Sequence, residues 1–177
     1  MKFNIRAKGM SKGFTLLEVM AVTAIMALVV AIIYPMITFG TTALHKGQVN
    51  ADKQYQVRMA ADFISKQLRY ANSFTFLTST PTAATGRNDI YLDASGFFHY
   101  NNNGTSATAP GVDNTQKFEI SFLNTGKSNS IIFTISDKDD VNYDIATEVI
   151  LLNYHKSTFP TASGSCIGFS YTLPSSL

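Results

Sequence analysis

One long uncharged stretch near the amino end limits what this chain can fold into more than any other feature does. Between Glu18 and His45 the only ionisable side chain is that of Tyr34, over 26 residues. A helix needs about 20 apolar residues, each rising about 1.5 Å, to cross the hydrocarbon core of a bilayer. The stretch therefore predicts a membrane-spanning helix, which separates this chain from ordinary water-soluble domains.

The residues before this stretch predict its orientation. Four of them are basic and none is acidic: Lys2, Arg6, Lys8 and Lys12. Positive charge tends to stay on the cytoplasmic side of a membrane, so the amino end is expected in the cytoplasm and the rest of the chain outside. A secretory signal peptide would have an apolar core of about 7–15 residues and then a cleavage site. This run is longer, and Thr41-Thr42-Ala43 is a poor cleavage site.

Glu18 lies at the edge of the apolar stretch and needs an explanation. On insertion scales a carboxylate deep in a membrane helix costs about 2.5–3.5 kcal/mol. In a plain anchor the side chain would extend to the membrane surface and have no further role. The alternative is that a positive group within the membrane pairs with the carboxylate and removes much of the cost.

The residues around Glu18 supply a candidate for that positive group. The sequence Gly-Phe-Thr-Leu-Leu-Glu at positions 13–18, after a basic leader and before a long apolar helix, resembles the processing site of type IV pilins and pseudopilins. The resemblance implies that a prepilin peptidase cuts between Gly13 and Phe14 and methylates the new Phe14 amine. It also implies that Glu18 pairs with the Phe14 amine of a neighbouring subunit during filament assembly. An ordinary signal-anchor helix is the alternative.

Two further features of the apolar helix fit this family. Pro35 lies where the family commonly carries a proline, and because proline lacks an amide donor a kink or local opening of the helix is expected there. Small residues recur three or four apart on one face, where they would let helices approach closely: Ala21, Ala24, Ala27 and Ala31. A lipid-facing helix in which these alanines have no partner is the alternative.

Four segments are predicted along the chain. They are a basic leader (1–13), a transmembrane or filament-core helix (14–40), an amphipathic continuation of the helix (41–78) and a β-rich globular head (79–177). An apolar stripe at helical spacing supports the continuation to about Phe76: Val57, Ala61, Ile64, Leu68 and Ala71, widened by Phe63, Tyr70 and Phe74. The predicted fold class is therefore α+β, a long N-terminal helix packed against a C-terminal antiparallel sheet, as in pilins.

Short strands are predicted after the helix from alternating apolar and polar residues and from turn signals. The residues at 89–93 and 96–100 predict a hairpin. A polar stretch at 101–114 predicts a loop with turns at Asn103-Gly104 and Pro110-Gly111. Further strands are predicted at 118–122, 131–135, 145–154 and 167–173, in a meandering sheet.

The composition excludes some functions. The formal charge is +2, but removal of residues 1–13 would leave 10 basic and 12 acidic side chains, or −2. The charge of the remaining chain therefore gives no support to nucleic acid as a partner. No phosphate-binding loop, zinc spacing or dinucleotide fingerprint is present, so no cofactor is expected. Because Cys166 is the only cysteine, no intrachain disulfide can form.

A nucleophile-like pattern surrounds Cys166, which lies between Gly164 and Gly168 in a G-x-C-x-G sequence. A nucleophile elbow needs a strand before the nucleophile and a helix after it. Residues 169–174 alternate like a strand, and neither His99 nor His155 can be placed near the thiol. Cys166 is therefore expected to be a small core or loop residue.

Four acidic residues cluster between two predicted strands: Asp137, Asp139, Asp140 and Asp144. Calcium prefers several carboxylates on a flexible loop, and some related pseudopilins bind it. The spacing of a calcium-binding EF-hand loop is absent. A solvated turn is therefore the expectation, with a calcium loop as the alternative.

The resemblance implies a function, partners and a location. The chain is expected to be a structural subunit, not an enzyme, and a minor component of a type IV pilus, a type II secretion pseudopilus or a DNA-uptake filament. Its partners would be other pilin or pseudopilin subunits, prepilin peptidase, the inner-membrane assembly platform, and membrane lipid before assembly. It would be a single-pass membrane protein that later enters a periplasmic or cell-surface filament. The alternatives are a membrane-anchored binding domain that does not assemble and a surface hydrolase using Cys166.

Overall fold

The computed structural model describes residues 13–77, 79–82, 84–124, 129–139, 143–154 and 162–171. The basic residues of the leader lie outside the described residues, as do Asp140 and His155. The chain divides into two compact units, Met1–Gln48 and Val49–Leu177. The second of these is called the globular unit below.

Helix α1 runs from Leu16 to Arg69. In the first unit, every side chain from 13 to 39 is exposed, although the sequence there is strongly apolar. Within the described part of the chain, α1 is the one helix long and apolar enough to cross a membrane, with a mean hydropathy of 2.7 over its most apolar window. A helix that is apolar on all sides is stable when lipid or other protein surrounds it, as the sequence predicts for this segment.

Nine strands follow α1 in the described ranges, and they form two antiparallel sheets with the orders β1-β9-β2-β3-β4 and β7-β6-β5-β8. The α+β class is therefore confirmed, with one long N-terminal helix followed by antiparallel sheets. The strands are β1 (Ser73–Leu77), β2 (Asn88–Leu92), β3 (Phe98–Asn102), β4 (Thr105–Ala107), β5 (Phe118–Asn124), β6 (Ser130–Asp137), β7 (Asp144–Ile150), β8 (Ala162–Gly164) and β9 (Cys166–Ser170).

The predicted end of the helix near Phe76 is wrong. Helix α1 ends at Arg69, and the next residues form β1, which pairs with β9. Residues two apart in a strand share a face, so the rings of Phe74 and Phe76 both pack against the core while Thr75 between them is exposed. Pairing with a distant strand therefore overrides the helical spacing of these residues.

The predicted hairpin is confirmed, and part of the predicted loop after it is a strand. β2 and β3 pair with Ile90 opposite Tyr100. Asn103 and Gly104 then turn the chain with φ values of 52° and 78°, and β4 pairs back onto β3. Two consecutive positive φ values make a tight hairpin turn that Asn-Gly accommodates at little cost. The predicted turn at Asn103-Gly104 is therefore confirmed, while the first part of the predicted loop over 101–114 belongs to β3 and β4.

The single meandering sheet is also corrected, because the strands divide between two sheets. β9, the last of the described strands, lies between β1 and β2 and does not pair with β8, the strand that precedes it in the sequence. Alternation of apolar residues predicts that a segment is a strand, but it does not say which strand will pair with it. β7 also ends at Ile150, earlier than the predicted end at Tyr154.

One core joins the globular unit's part of α1 to both sheets. Ile64 and Leu68 of the predicted stripe are fully buried, whereas Tyr70 is 56% exposed and does not belong to it. The ring of Phe63 meets that of Phe98 edge-on, with centroids 6.0 Å apart. Full burial of such side chains contributes about 1.5–3 kcal/mol each, so the helix and sheets stabilise one another.

Candidate functional site

The residues predicted for processing lie just before α1. Gly13 and Phe14 precede the helix, which begins at Leu16, and the side chain of Phe14 is 78% exposed. The peptide bond between them is therefore in exposed backbone without regular structure. Such backbone is accessible to a peptidase without unwinding of the helix.

Thr15 has a role that the sequence reasoning missed. The amide of Glu18 donates hydrogen bonds to the Thr15 hydroxyl (3.3 Å) and to the Thr15 carbonyl (3.0 Å). Thr15 is thus the N-cap of α1 and satisfies an amide that has no partner inside the helix. The spacing Thr-x-x-Glu is that of a capping box, a signal that could have predicted where the helix begins.

Glu18 lies in the first turn of α1, where the helix dipole favours a negative charge. Its side chain is exposed, and none of the ion pairs among the described residues includes it. The carboxylate is therefore accessible to a positive group from outside this chain.

Among the described residues, no contact explains a glycine at position 13. A Cβ atom built on Gly13 would meet none of them within 4 Å. By contrast, a Cβ on Gly104 would lie 2.9 Å from the carbonyl oxygen of Ala84, so packing does explain that glycine.

Pro35 lies inside α1, as predicted. Proline has no amide to donate to the carbonyl of Ala31, so one helical hydrogen bond is absent there. The hydroxyl of Thr38 donates to the carbonyls of Pro35 (2.9 Å) and Tyr34 (3.2 Å). A kink at Pro35 stays a prediction.

The acidic cluster is held by contacts within the globular unit. The buried carboxylate of Asp137 lies 3.5 Å from Lys53 Nζ, accepts a hydrogen bond from the side-chain amide of Gln116, and accepts another from the backbone amide of Asp139 (2.7 Å). In the part of the chain that is described, no three acidic, histidine or cysteine side chains are placed to hold a metal ion. The expectation of a solvated turn is therefore wrong for Asp137, which is buried at the end of β6, whereas Asp139 and Asp144 are exposed as expected. Asp140 lies outside the described residues.

The G-x-C-x-G pattern has a structural explanation. Cys166 is buried at the start of β9, and a strand, not a helix, follows it. A Cβ on Gly164 would lie 2.8 Å from the carbonyl oxygen of Leu77, and one on Gly168 would lie 2.9 Å from Asp89 Oδ1. Both glycines are thus explained by close approach of neighbouring groups, and the geometry of a nucleophile elbow is absent.

A cleft of about 380 Å³ beside the turn between β2 and β3 contains an Asp–His pair. His99 Nε2 lies 3.1 Å from Asp93 Oδ2, and the imidazole stacks on the ring of Tyr91. Burial acts to raise the pKa of Asp93, but hydrogen bonds from the Phe97 amide, from His99 and from the Ser95 amide outweigh it and leave the pKa below its usual value. The carboxylate is therefore occupied in fixing the turn.

Comparisons with known proteins support the resemblance that the amino-terminal segment carries. A family model described as the prokaryotic N-terminal methylation motif matches residues 8–34, which confirms the resemblance to type IV pilins over the segment that carries it. Among solved structures, the PilB minor pilin from Streptococcus sanguinis is similar with a TM-score of 0.49 and 13% identity. A point mutant of that pilin gives 0.47 and 11%. Both alignments cover 72% of this chain and 36% of the other, so this chain spans about a third of their length. No curated protein matches the sequence.

Proposed function

We propose that this chain, which carries the N-terminal methylation motif of type IV pilins, is a structural subunit of a type IV pilus or pseudopilus-like filament. One combination of features carries the proposal. An exposed bond between Gly13 and Phe14, a carboxylate at Glu18 and an apolar helix exposed as far as Phe39 follow one another directly. A plain anchor needs only the apolar helix.

Processing would add, beside the negative charge of Glu18, the positive charge that assembly needs. Cleavage after Gly13 by prepilin peptidase would remove the basic leader and create a methylated amine on Phe14, four residues before Glu18. An isolated charge in an apolar interior costs several kcal/mol, and an opposite charge from a neighbouring subunit removes much of that cost. Each mature subunit would thus be drawn into register with the next by one amine and one carboxylate.

We also propose a minor role within the filament. Many major pilins carry a cysteine pair near the carboxyl end, whereas this chain has only Cys166. Its partners would be other pilin subunits, prepilin peptidase and the inner-membrane assembly platform, with lipid around the apolar helix before assembly. The basic leader favours a cytoplasmic amino end and a globular unit outside the membrane.

A membrane-anchored binding domain that never assembles is the main alternative. Such a protein would not depend on Gly13 or on Glu18. The open space around Gly13 favours the filament subunit, since no contact with the described residues explains the glycine. The DNA-uptake form of the filament has no support from charge, because the chain without its leader has a formal charge of −2.

Cell fractionation tests the proposal. In cells that produce the chain with a prepilin peptidase, an assembly platform and a major pilin, we expect the chain in filaments sheared from the surface. A binding domain that does not assemble would stay in the membrane fraction. Recovery from membranes alone, while the major pilin still forms filaments, would contradict the proposal.

A further inference from the structure

Strand β7 (Asp144–Ile150) is the outermost strand of the sheet with the order β7-β6-β5-β8. Beyond its end, the amide of Leu151 donates to the carbonyl of Asn129 (2.8 Å), in register with the β6–β7 pairing. Hydrogen-bonded pairs alternate along an antiparallel ladder. The odd-numbered residues of β7 therefore direct their backbone groups to β6, and the even-numbered residues direct theirs away from the sheet.

The outward backbone groups of β7 have no backbone partner among the described residues. Across the described ranges, no strand and no separate backbone hydrogen bond reaches them. Natural sheet edges are commonly protected by charged side chains, above all lysine, by proline or by a bulge. β7 has no lysine or proline, its two charged residues are the acidic Asp144 and Glu148, and all seven of its residues pair with β6 in unbroken register. A regular edge of this length is suited to receive another strand.

The side chains on the even-numbered positions are acidic or small and apolar. Asp144, Ala146, Glu148 and Ile150 are all exposed, and Ile150 is exposed by 59%. The β6 residues directly opposite them are serine, threonine, isoleucine and serine, so no cation faces either carboxylate across this pair of strands. A strand added at this edge would place one set of its side chains beside these two carboxylates.

The other set of side chains would enter a groove between β7 and the end of α1. The groove has a volume of about 340 Å³, and Ser65, Arg69 and Leu152 line it together with the second half of β7. One end is bounded by a hydrogen bond from the amide of Leu152 to the carbonyl of Arg69 (2.8 Å). Glu148 belongs to the lining as well as Arg69, so their opposite charges offset each other, and the apolar Val149 and Leu152 make aliphatic side chains the better fit.

We propose that the β7 edge binds an extended segment of another protein, with basic side chains on one face and aliphatic side chains on the other. The basic face lies beside Asp144 and Glu148, and the aliphatic face fills the groove next to Arg69. Backbone hydrogen bonds to the even-numbered residues hold the segment, and the alternating side chains select it. A second copy of β7 is a poorer occupant, because it would bring two further carboxylates to the same edge. Incorporation into a filament is not required for this binding.

A blocked ten-residue peptide of alternating lysine and valine is a direct probe. With the full chain in neutral maltoside micelles, we expect saturable binding at peptide concentrations below about 1 mM by fluorescence anisotropy. Ala146→Pro removes an amide that points away from β6, so it leaves the ladder intact and should weaken binding about tenfold or more. Glu148→Lys should weaken it about tenfold through charge.

Two matched controls decide between strand addition and general attraction of charges. Asp52→Lys makes the same change of charge at an exposed position on α1 and should alter affinity less than about twofold. A lysine–proline peptide of equal charge cannot add as a strand and should not bind. No saturable binding, equal losses in the Glu148 and Asp52 variants, or full binding by Ala146→Pro would each overturn the proposal. So would a dimer that Ala146→Pro converts to monomer without affecting the peptide, since the occupant would then be a second copy.

Discussion

Replacing Arg87 with Met is expected to lower the free energy of unfolding of the globular unit by about 3 kcal/mol. Arg87 Nε lies 2.6 Å from Asp89 Oδ1, and the side chain of Asp89 is 0% exposed. Without the guanidinium, the carboxylate would stay buried without an opposite charge, and this is the costly way to break a buried pair. We expect the lower end of the usual range because the Arg87 side chain is 32% exposed. Urea denaturation followed by circular dichroism measures the change.

Two further variants serve as controls: one breaks an exposed ion pair, and the other crowds the buried pair. Lys66→Met breaks an ion pair with Asp62 whose side chains are 72% and 54% exposed, so the loss should be below about 1 kcal/mol. Gly168→Ala introduces a Cβ 2.9 Å from Asp89 Oδ1 and 3.0 Å from Arg87 Cδ, and the crowding should cost about 1–3 kcal/mol. Equal effects of Arg87→Met and Lys66→Met would show that the buried pair stabilises the globular unit no more than an exposed pair does.

Replacing Glu18 with Gln is expected to reduce incorporation into filaments about 100-fold or more while leaving cleavage after Gly13 unchanged. In the proposed filament, the substitution keeps the size of the side chain but leaves the Phe14 amine of the neighbouring subunit without its negative partner. Breaking a buried pair in this way costs about 3–5 kcal/mol, which corresponds to a factor of about 150 to 4,000. The ratio of the chain in sheared filaments to the chain in membranes measures the effect.

Thr23→Val is the matched control for this experiment. Thr23 lies on the same helix five residues later, and its hydroxyl donates to the carbonyl of Met20 in its own chain (3.0 Å). Because that bond is internal to the helix, its loss should leave incorporation within about twofold of the natural protein. Normal incorporation of Glu18→Gln would refute the pairing, and loss of cleavage in the same variant would move the role of Glu18 to processing.

The sequence was most informative where the spacing of apolar residues along a short segment determines the structure. Uninterrupted apolar residues predicted the exposed first part of α1, and strict alternation predicted β5 and β6, whose inward residues Ile120, Phe122, Phe133 and Ile135 are buried. These signals need no knowledge of distant contacts. The start of α1 was equally predictable, since Thr15 and Glu18 have the spacing of a capping box.

Features that depend on distant pairing could not be predicted in the same way. Phe74 and Phe76 fit a helical stripe as well as a strand, and β9 decides between the two. The packing of Arg87 and Asp89 against Gly168 likewise requires β2 and β9 to be neighbours, which no local pattern encodes. At the amino end, by contrast, the candidate site is a short contiguous segment, so sequence alone identified Gly13, Phe14 and Glu18 as candidates.

Intact mass and amino-terminal sequencing after co-expression with a prepilin peptidase test the central claim most directly. Gly13→Ala serves as the parallel sample, because no described residue lies close enough to oppose an alanine at that position. We predict a product of the natural chain that begins at N-methylated Phe14 and is absent from the variant. A chain that still begins at Met1 in both samples would contradict the account and leave α1 as a plain anchor.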